Sequence, residues 1–60
     1  MIRLAYLPFD EVFAFVVGDL NNAQLHRIEG EPLVFRTRDQ ALAALKRHNL
    51  KLSGDEVVAL

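Results

Sequence analysis

The longest apolar run of the chain, Val12–Val17, constrains its fold more than any other feature. All six residues of this VFAFVV segment are hydrophobic, so a strand here places apolar side chains on both faces of its sheet. Apolar residues at helical spacing from Phe9 to Leu20 leave a helix as the alternative. Because β-branched and aromatic residues lose rotamer freedom in a helix, we predict a strand over residues 11–17.

The N-terminal residues predict a second strand. Residues 1–7 place Ile2, Leu4 and Tyr6 on one face of an extended segment. Pro8 has no backbone N–H group for a ladder hydrogen bond, and it ends the segment. We expect this strand to lie at an edge of the sheet.

A turn and a hairpin are predicted after the apolar run. Residues 18–22 read Gly-Asp-Leu-Asn-Asn, which is the composition of a turn. Farther along, a Gly-Glu-Pro sequence separates residues 24–29 from residues 33–36. The short apolar runs on either side predict a β-hairpin in which His26 faces Phe35.

The clearest local signal is a helix over residues 38–48. Thr37 and Gln40 have the spacing of a capping box, in which the threonine hydroxyl accepts a hydrogen bond from the Gln40 amide. Asn49 is a residue type that adopts the left-handed conformation just after a helix. The apolar stripe and the basic last turn of this helix are formed by Ala41, Leu42, Leu45, Lys46, Arg47 and His48.

The C-terminal residues leave two alternatives. Residues 53–56 read Ser-Gly-Asp-Glu, which is a capping box for a short helix or a turn that leads into a strand over residues 57–60. Val57 and Val58 favour the strand. We therefore predict one α+β domain over residues 1–60, with a small antiparallel sheet (a meander plus a C-terminal strand) and one helix packed on one face. The element order is roughly ββ(β)αβ.

Small size and the absence of cysteine bound the function. A domain of 60 residues buries only about 60% of the surface of its unfolded chain, so its core is marginal. Without cysteine it has no disulfides, no thiolate nucleophile and no Cys-type metal site. The apolar run is far shorter than the ~20 residues of a membrane span, and the N-terminus lacks the pattern of a secretory signal. We therefore expect a cytoplasmic protein without a membrane segment.

The polar residues form no recognisable catalytic or metal motif. The acidic doublets Asp10–Glu11 and Asp55–Glu56 are sequence neighbours, which point to opposite faces of a strand or into solvent from a turn. The two histidines lack the spacing of metal ligands, and the three glycines stand in separate turns. We expect no catalytic residue, no cofactor and no metal site, and hence a protein that is not an enzyme.

Charge is distributed unevenly along the chain. Residues 1–31 carry two basic and five acidic residues, a balance of −3, whereas residues 32–60 carry five basic and three acidic residues, a balance of +2. Arg36 and Arg38 adjoin the predicted helix start, where backbone amides without a helical partner attract anions. The alternative is that both arginines pair with acidic residues. The candidate contacts for an anion or a nucleic acid are Arg36, Arg38, Lys46, Arg47 and Lys51.

Protein binding is the function that the sequence favours. One helix covers only one face of the sheet, so the other apolar face is covered either by the N-terminal segment folding back or by another protein. We expect that protein to be a second copy, giving a homodimer, or a larger partner for which this domain is a regulator, inhibitor or accessory subunit. Nucleic-acid binding is the first alternative, and a small anion-binding or enzymatic site at the helix N-terminus is the second. The predicted interface residues are Val12, Phe13, Phe15 and Val17.

Overall fold

Five strands and one helix make up the structure, which is a computed structural model that describes residues 1–19 and 21–60. The predicted α+β class is confirmed: a five-stranded mixed sheet, mostly antiparallel, has one helix packed against it. The elements are β1 (Arg3–Leu7), β2 (Val12–Val17), β3 (Gln24–His26), β4 (Val34–Phe35), α1 (Arg38–Arg47) and β5 (Val57–Ala59).

The strands β1 and β2 form an antiparallel hairpin at the centre of the sheet. Their register runs from Arg3 opposite Val16 to Leu7 opposite Val12. Glu11 closes the four-residue connection in the left-handed conformation, with φ of 54°. The predicted edge position of the first strand is wrong, because β5 pairs with the other side of β1.

The C-terminal segment is a strand, as predicted, but it runs parallel to β1. Leu4 pairs with Val57 and Tyr6 pairs with Ala59. Because β4 is antiparallel to β2, it points in the same direction as β1, and a helical crossover then returns the chain for a parallel strand. The sheet that was predicted as antiparallel is therefore mostly antiparallel, with one parallel pair of strands, β1 and β5, because α1 lies between β4 and β5 in the chain.

The predicted hairpin of residues 24–29 with 33–36 is wrong, because β3 and β4 both pair with β2. His26 lies opposite Phe15 and Phe35 lies opposite Phe13, so the two short strands follow one another along the same edge. Residues 27–33 leave the sheet between them and carry Ile28, which is 6% exposed, into the core. Residues 24–29 and 33–36 therefore do not pair with each other, and the segment between the two strands buries Ile28 instead.

Both ends of α1 follow the local sequence signals. Thr37 Oγ1 accepts a hydrogen bond from the Gln40 amide at 3.1 Å, and Gln40 Oε1 accepts one from the Arg36 amide at 3.2 Å. Asn49 has a φ of 55°, and the Leu50 amide donates to the Leu45 carbonyl at 2.9 Å. The bonds at the start resemble a capping box, except that Gln40 accepts from the amide before the N-cap, and the bonds at the end form a Schellman motif. The helix ends at Arg47, one residue before the predicted end.

The core lies between α1 and one face of the sheet. The rings of Phe15 and Phe35 meet edge to face with centroids 5.4 Å apart. Ala44 is fully buried against them, and the predicted stripe residue Leu42 is only partly buried. The predicted turn over 18–22 includes Leu20, which lies outside the described residues. Within residues 1–19 and 21–60, no helix has the length and hydrophobicity that a membrane crossing requires.

Candidate functional site

The pairing register assigns each strand residue to one face of the sheet. Paired residues share a face and successive residues alternate between faces. Leu4 pairs with Phe15, and both lie in the core beneath α1. The residues that alternate with them therefore lie on the opposite face, which we call the open face. It is formed by Arg3, Ala5, Leu7, Val12, Ala14, Val16, Leu25, Val34 and Val58.

The open face is apolar at every position except Arg3. Ala5 and Ala14 pair with each other at its centre, and both are fully buried. Around them, Leu25 is 46% exposed and Val34 is 39% exposed. Val16 is also buried on this face, at 2% exposure, so the accessible apolar surface lies at the periphery. In the described part of the chain, the only helix packs on the other face.

The predicted interface residues divide between the two faces. Val12 lies on the open face, half-buried beside Leu7. Phe15 is 1% exposed in the core, and Phe13 packs against that core with its ring 5.1 Å from that of Tyr6. Val17 alternates onto the same covered face as Phe15. Phe15 therefore has no surface to offer a partner, and of the four residues only Val12 belongs to the open face.

Residues that the sequence interpretation missed complete this surface. Leu25, Val34 and Val58 each come from a segment whose face is decided by long-range pairing, so no local pattern identifies them. One alternative was that the N-terminal segment folds back over this face. Instead it forms β1, which lies beside β2 within the sheet. The open face therefore draws on all five strands.

Phe9 is the most exposed aromatic side chain, at 102% relative exposure. It occupies the β1–β2 turn between Pro8 and Asp10, which are also exposed. This turn continues the sheet at the end where Leu7 pairs with Val12. An aromatic side chain in this position extends the apolar surface of the molecule beyond the strands.

Arg47, one of the five candidate cations, forms an ion pair with Glu31. Arg47 donates to the Glu31 carboxylate through Nη2 at 2.7 Å and through Nε at 3.1 Å. His48 Nε2 lies 3.0 Å from the same carboxylate, whose side chain is 9% exposed. The hydrogen bond from Arg47 lowers the pKa of Glu31 to about 2, against the opposing effect of desolvation. Arg47 therefore fastens the segment 27–33 to the end of α1.

The other candidate cations are exposed and spread along α1. Arg36 and Arg38 flank the helix start, while Lys46 and Lys51 lie at and beyond its end. A ten-residue helix is about 15 Å long, so the two groups do not meet at one point. Within the described residues none of the four forms an ion pair, so the expected pairing of acidic residues with Arg36 and Arg38 is not seen there.

Charged side chains of both signs gather at the end of the sheet opposite the β1–β2 turn. An open depression of about 840 Å³ is lined there by Met1, Arg3, Asp19, Asp55 and Glu56. Asp55 also lines a second depression, together with Lys46 and Lys51 near the end of α1. The Asp19 carboxylate accepts hydrogen bonds from the amides of Asn21 and Asn22 at 3.0 and 2.9 Å. Within residues 1–19 and 21–60, no three His, Cys, Asp or Glu side chains are placed to hold a metal ion.

No protein-family model, curated protein or solved structure matches this chain. Its function must therefore be inferred from the surfaces described above. Two of them stand out chemically: the apolar open face and the exposed cations of residues 36–51.

Proposed function

We propose that this protein is a non-enzymatic interaction module that docks on a partner protein through the open face. In that role it serves as a regulator, an inhibitor or an accessory subunit. The observation that carries the proposal is the uninterrupted apolar character of the open face outside Arg3. A sheet face that stays in water ordinarily alternates to polar residues, whereas depletion of charge is typical of the centre of a protein interface.

The size of the open face limits what it binds on its own. At about 4.8 Å between neighbouring strands it is roughly 14 Å wide, and the five residues of β1 make it roughly 17 Å long. This footprint, on the order of 250 Å², is well below the ~800 Å² per partner of a standard interface. The contact therefore extends onto the β1–β2 turn, where Phe9 is available as an aromatic anchor.

The proposal is tested with a pair of matched leucine variants. Leu25 is 46% exposed on the open face, and Leu33 is 42% exposed on the segment outside the sheet. We expect Leu25→Lys to abolish capture of a partner that the parent protein retains, because the lysine ammonium would be buried without a counter-charge. Leu33→Lys should retain that partner.

The readout is affinity capture followed by mass spectrometry, with melting temperatures to verify folding. Equal capture by the parent and Leu25→Lys would contradict the proposal. Equal loss of capture in Leu25→Lys and Leu33→Lys would also contradict it, because the effect would then depend on the added positive charge rather than on its position.

Nucleic-acid binding is a second candidate, which the four exposed cations outside the Glu31 ion pair support. It uses Arg36, Arg38, Lys46 and Lys51, with Arg47 already bound to Glu31. Its test is gel-shift titration of DNA and RNA at low salt. Replacement of Arg36 and Arg38 by alanine should then reduce the slope of log affinity against log salt by about one unit for each lost phosphate contact. Absence of binding at low salt would exclude it.

A further inference from the structure

We infer that the β1–β2 turn of one copy of this chain docks in a leucine-lined depression near the end of α1 of a second copy. The inference goes beyond the proposed function, because it uses the two ends of the molecule rather than the open face. It rests on an exposed aromatic side chain with acidic neighbours at one end, and an apolar depression with lysines at the other.

The β1–β2 turn presents an apolar ring next to acidic groups. Phe9 is 102% exposed, and the two residues that follow it, Asp10 and Glu11, are exposed as well. Within the described residues neither carboxylate forms an ion pair. Pro8 and the left-handed Glu11, with φ of 54°, restrict the backbone on both sides of the ring. The turn is therefore a pre-organised anchor that its own chain does not use.

A depression near the end of α1 has the complementary character. We call it the leucine groove: its volume is about 620 Å³, and its lining includes Leu42, Leu45, Leu50 and Leu52. Lys46, Lys51 and Asp55 also line it, so its side chains carry one net positive charge. Within the described residues neither lysine forms an ion pair. The groove therefore offers apolar contact to an aromatic ring and ammonium groups to the carboxylates beside it.

The turn and the groove lie at opposite ends of the sheet. The Ser53 amide donates to the Ile2 carbonyl at 2.7 Å, which places the segment after Leu52 beside the start of β1. The turn follows the other end of β1, and the five residues of this strand cover roughly 13 Å between the outermost Cα atoms. Phe9 therefore does not reach the groove of its own chain, whereas the turn of a second copy can enter it.

Two other depressions suit the turn less well. The one of about 840 Å³ is lined by three acidic side chains against Arg3 and Met1, so it repels the carboxylates of the turn. A third, of about 340 Å³, contains Arg36 and Arg47, but Arg47 is bound to Glu31 in the same depression. Of these three depressions, the leucine groove alone combines several leucines with two basic side chains outside the ion pairs of the described residues.

The contact is small, so the association is weak. An aromatic side chain buries about 150–250 Å², far less than the ~800 Å² per partner of a standard interface. We therefore expect association at high protein concentration, and more of it at low salt, where exposed charges are less screened. Phe9 is also the anchor available to a partner of the open face, so self-association and partner binding compete for it.

The experiment uses two variants that each lose one half of the contact. Phe9→Ala removes the ring, whereas Lys46→Glu with Lys51→Glu reverses the basic charge of the groove. Amide shifts of the isotopically labelled full chain are followed by NMR over a range of protein concentrations at low salt. In the parent we expect concentration-dependent shifts at residues 8–11 and 46–52. Association should be about tenfold weaker in each variant alone.

Mixing the two variants tests the contact directly. The groove of Phe9→Ala and the turn of the lysine variant are both unaltered, so the contact should form again between them. Labelled Phe9→Ala should then show shifts at residues 46–52 but not at residues 8–11. Association that persists in either variant alone, or that mixing does not restore, would overturn the inference.

Matched charge variants localise the electrostatic part. Asp55→Asn removes the carboxylate of the groove, and Asp39→Asn removes an exposed carboxylate in the first turn of α1. The first should strengthen self-association several-fold, and the second should leave it unchanged. Equal strengthening by both would overturn the inference, because net charge alone would then explain the effect.

Leu25→Lys separates this inference from the proposed function. Leu25 lies on the open face, whereas α1 packs on the other face, so this substitution should leave self-association unchanged. If it abolishes the concentration-dependent shifts, the second copy docks at the open face, which overturns the inference but supports docking there. Parent spectra that do not change with concentration overturn the inference alone, because partner capture through the open face does not require self-association.

Discussion

The two faces of the sheet are both apolar, but they differ in the size of their central side chains. On the covered face Leu4, Phe15 and Phe35 are large, and α1 packs Ala41, Ala44 and Leu45 against this cluster. The two alanines leave room for the large side chains of the sheet, as a close-packed core requires. On the open face the central side chains are Ala5 and Ala14, with larger aliphatic residues around them. One face is covered by α1, whereas in the described residues no helix packs on the other, where Leu25 and Val34 are exposed at the periphery.

Truncation of the covered face should have the largest effect. Phe15 is 1% exposed and contacts Phe35 edge to face, so Phe15→Ala removes a ring and leaves a cavity. We expect a loss of about 3–5 kcal/mol, enough to unfold much of a domain of this size. Circular dichroism during urea titration measures it. On the open face, Val34→Ala is the matched truncation and should cost less than about 1 kcal/mol. Equal losses would remove the distinction between the faces.

The helix that covers the core depends on its N-cap. Thr37 Oγ1 accepts the Gln40 amide at 3.1 Å, so Thr37→Ala should cost about 1 kcal/mol, or roughly 4–8 °C of melting temperature. Thr37→Asp should retain most of the stability, because its carboxylate also accepts this bond and interacts favourably with the helix dipole. Thr37→Val keeps the shape without the acceptor. If the valine variant melts with the parent, the hydroxyl does not cap α1.

A smaller, pH-dependent effect is expected where the segment 27–33 meets α1. The pKa of Glu31 is lowered from 4.5 to about 2, chiefly by the hydrogen bond from Arg47. The folded state therefore binds this proton less readily, so the stabilisation is complete above about pH 4.5 and is lost as the pH falls towards 2. Thermal melts at pH 7, 4 and 2.5 should show a drop for the parent that is reduced in Glu31→Gln. Identical pH profiles would contradict a stabilising role for this ion pair.

Local signals in the sequence predicted more than long-range ones. The caps at Thr37 and Asn49 are confirmed because each depends on residues within one helical turn. The strand character of Val12–Val17 is confirmed because side-chain branching decides it locally. The predicted pairing of β3 with β4 was wrong, because the burial of Ile28 and the pairing of both strands with β2 join residues far apart in sequence.

The candidate surface shows the same limit. The sequence predicted an apolar sheet face without a covering helix. However, the predicted interface residues included Phe13 and Phe15, which lie on the covered face. A shift of one residue in alternation exchanges the two faces of a strand, and the packing of Phe15 against Phe35 and Ala44 decides which face of β2 is covered. Likewise, the ion pair of Glu31 with Arg47 joins a segment and a helix end that no local motif connects.

The most direct test of the central claim, that the periphery of the open face is accessible, uses the absence of cysteine from the chain. Single cysteines are introduced by Val34→Cys on the open face, Leu33→Cys outside the sheet and Ala44→Cys in the core. Their rates of modification by a thiol reagent are then compared at low and high protein concentration. We expect the cysteine at position 34 to react as fast as that at 33 and far faster than that at 44, whose native side chain is fully buried. Protection at position 34 equal to that at position 44 would show that the face is already covered, and would contradict the account.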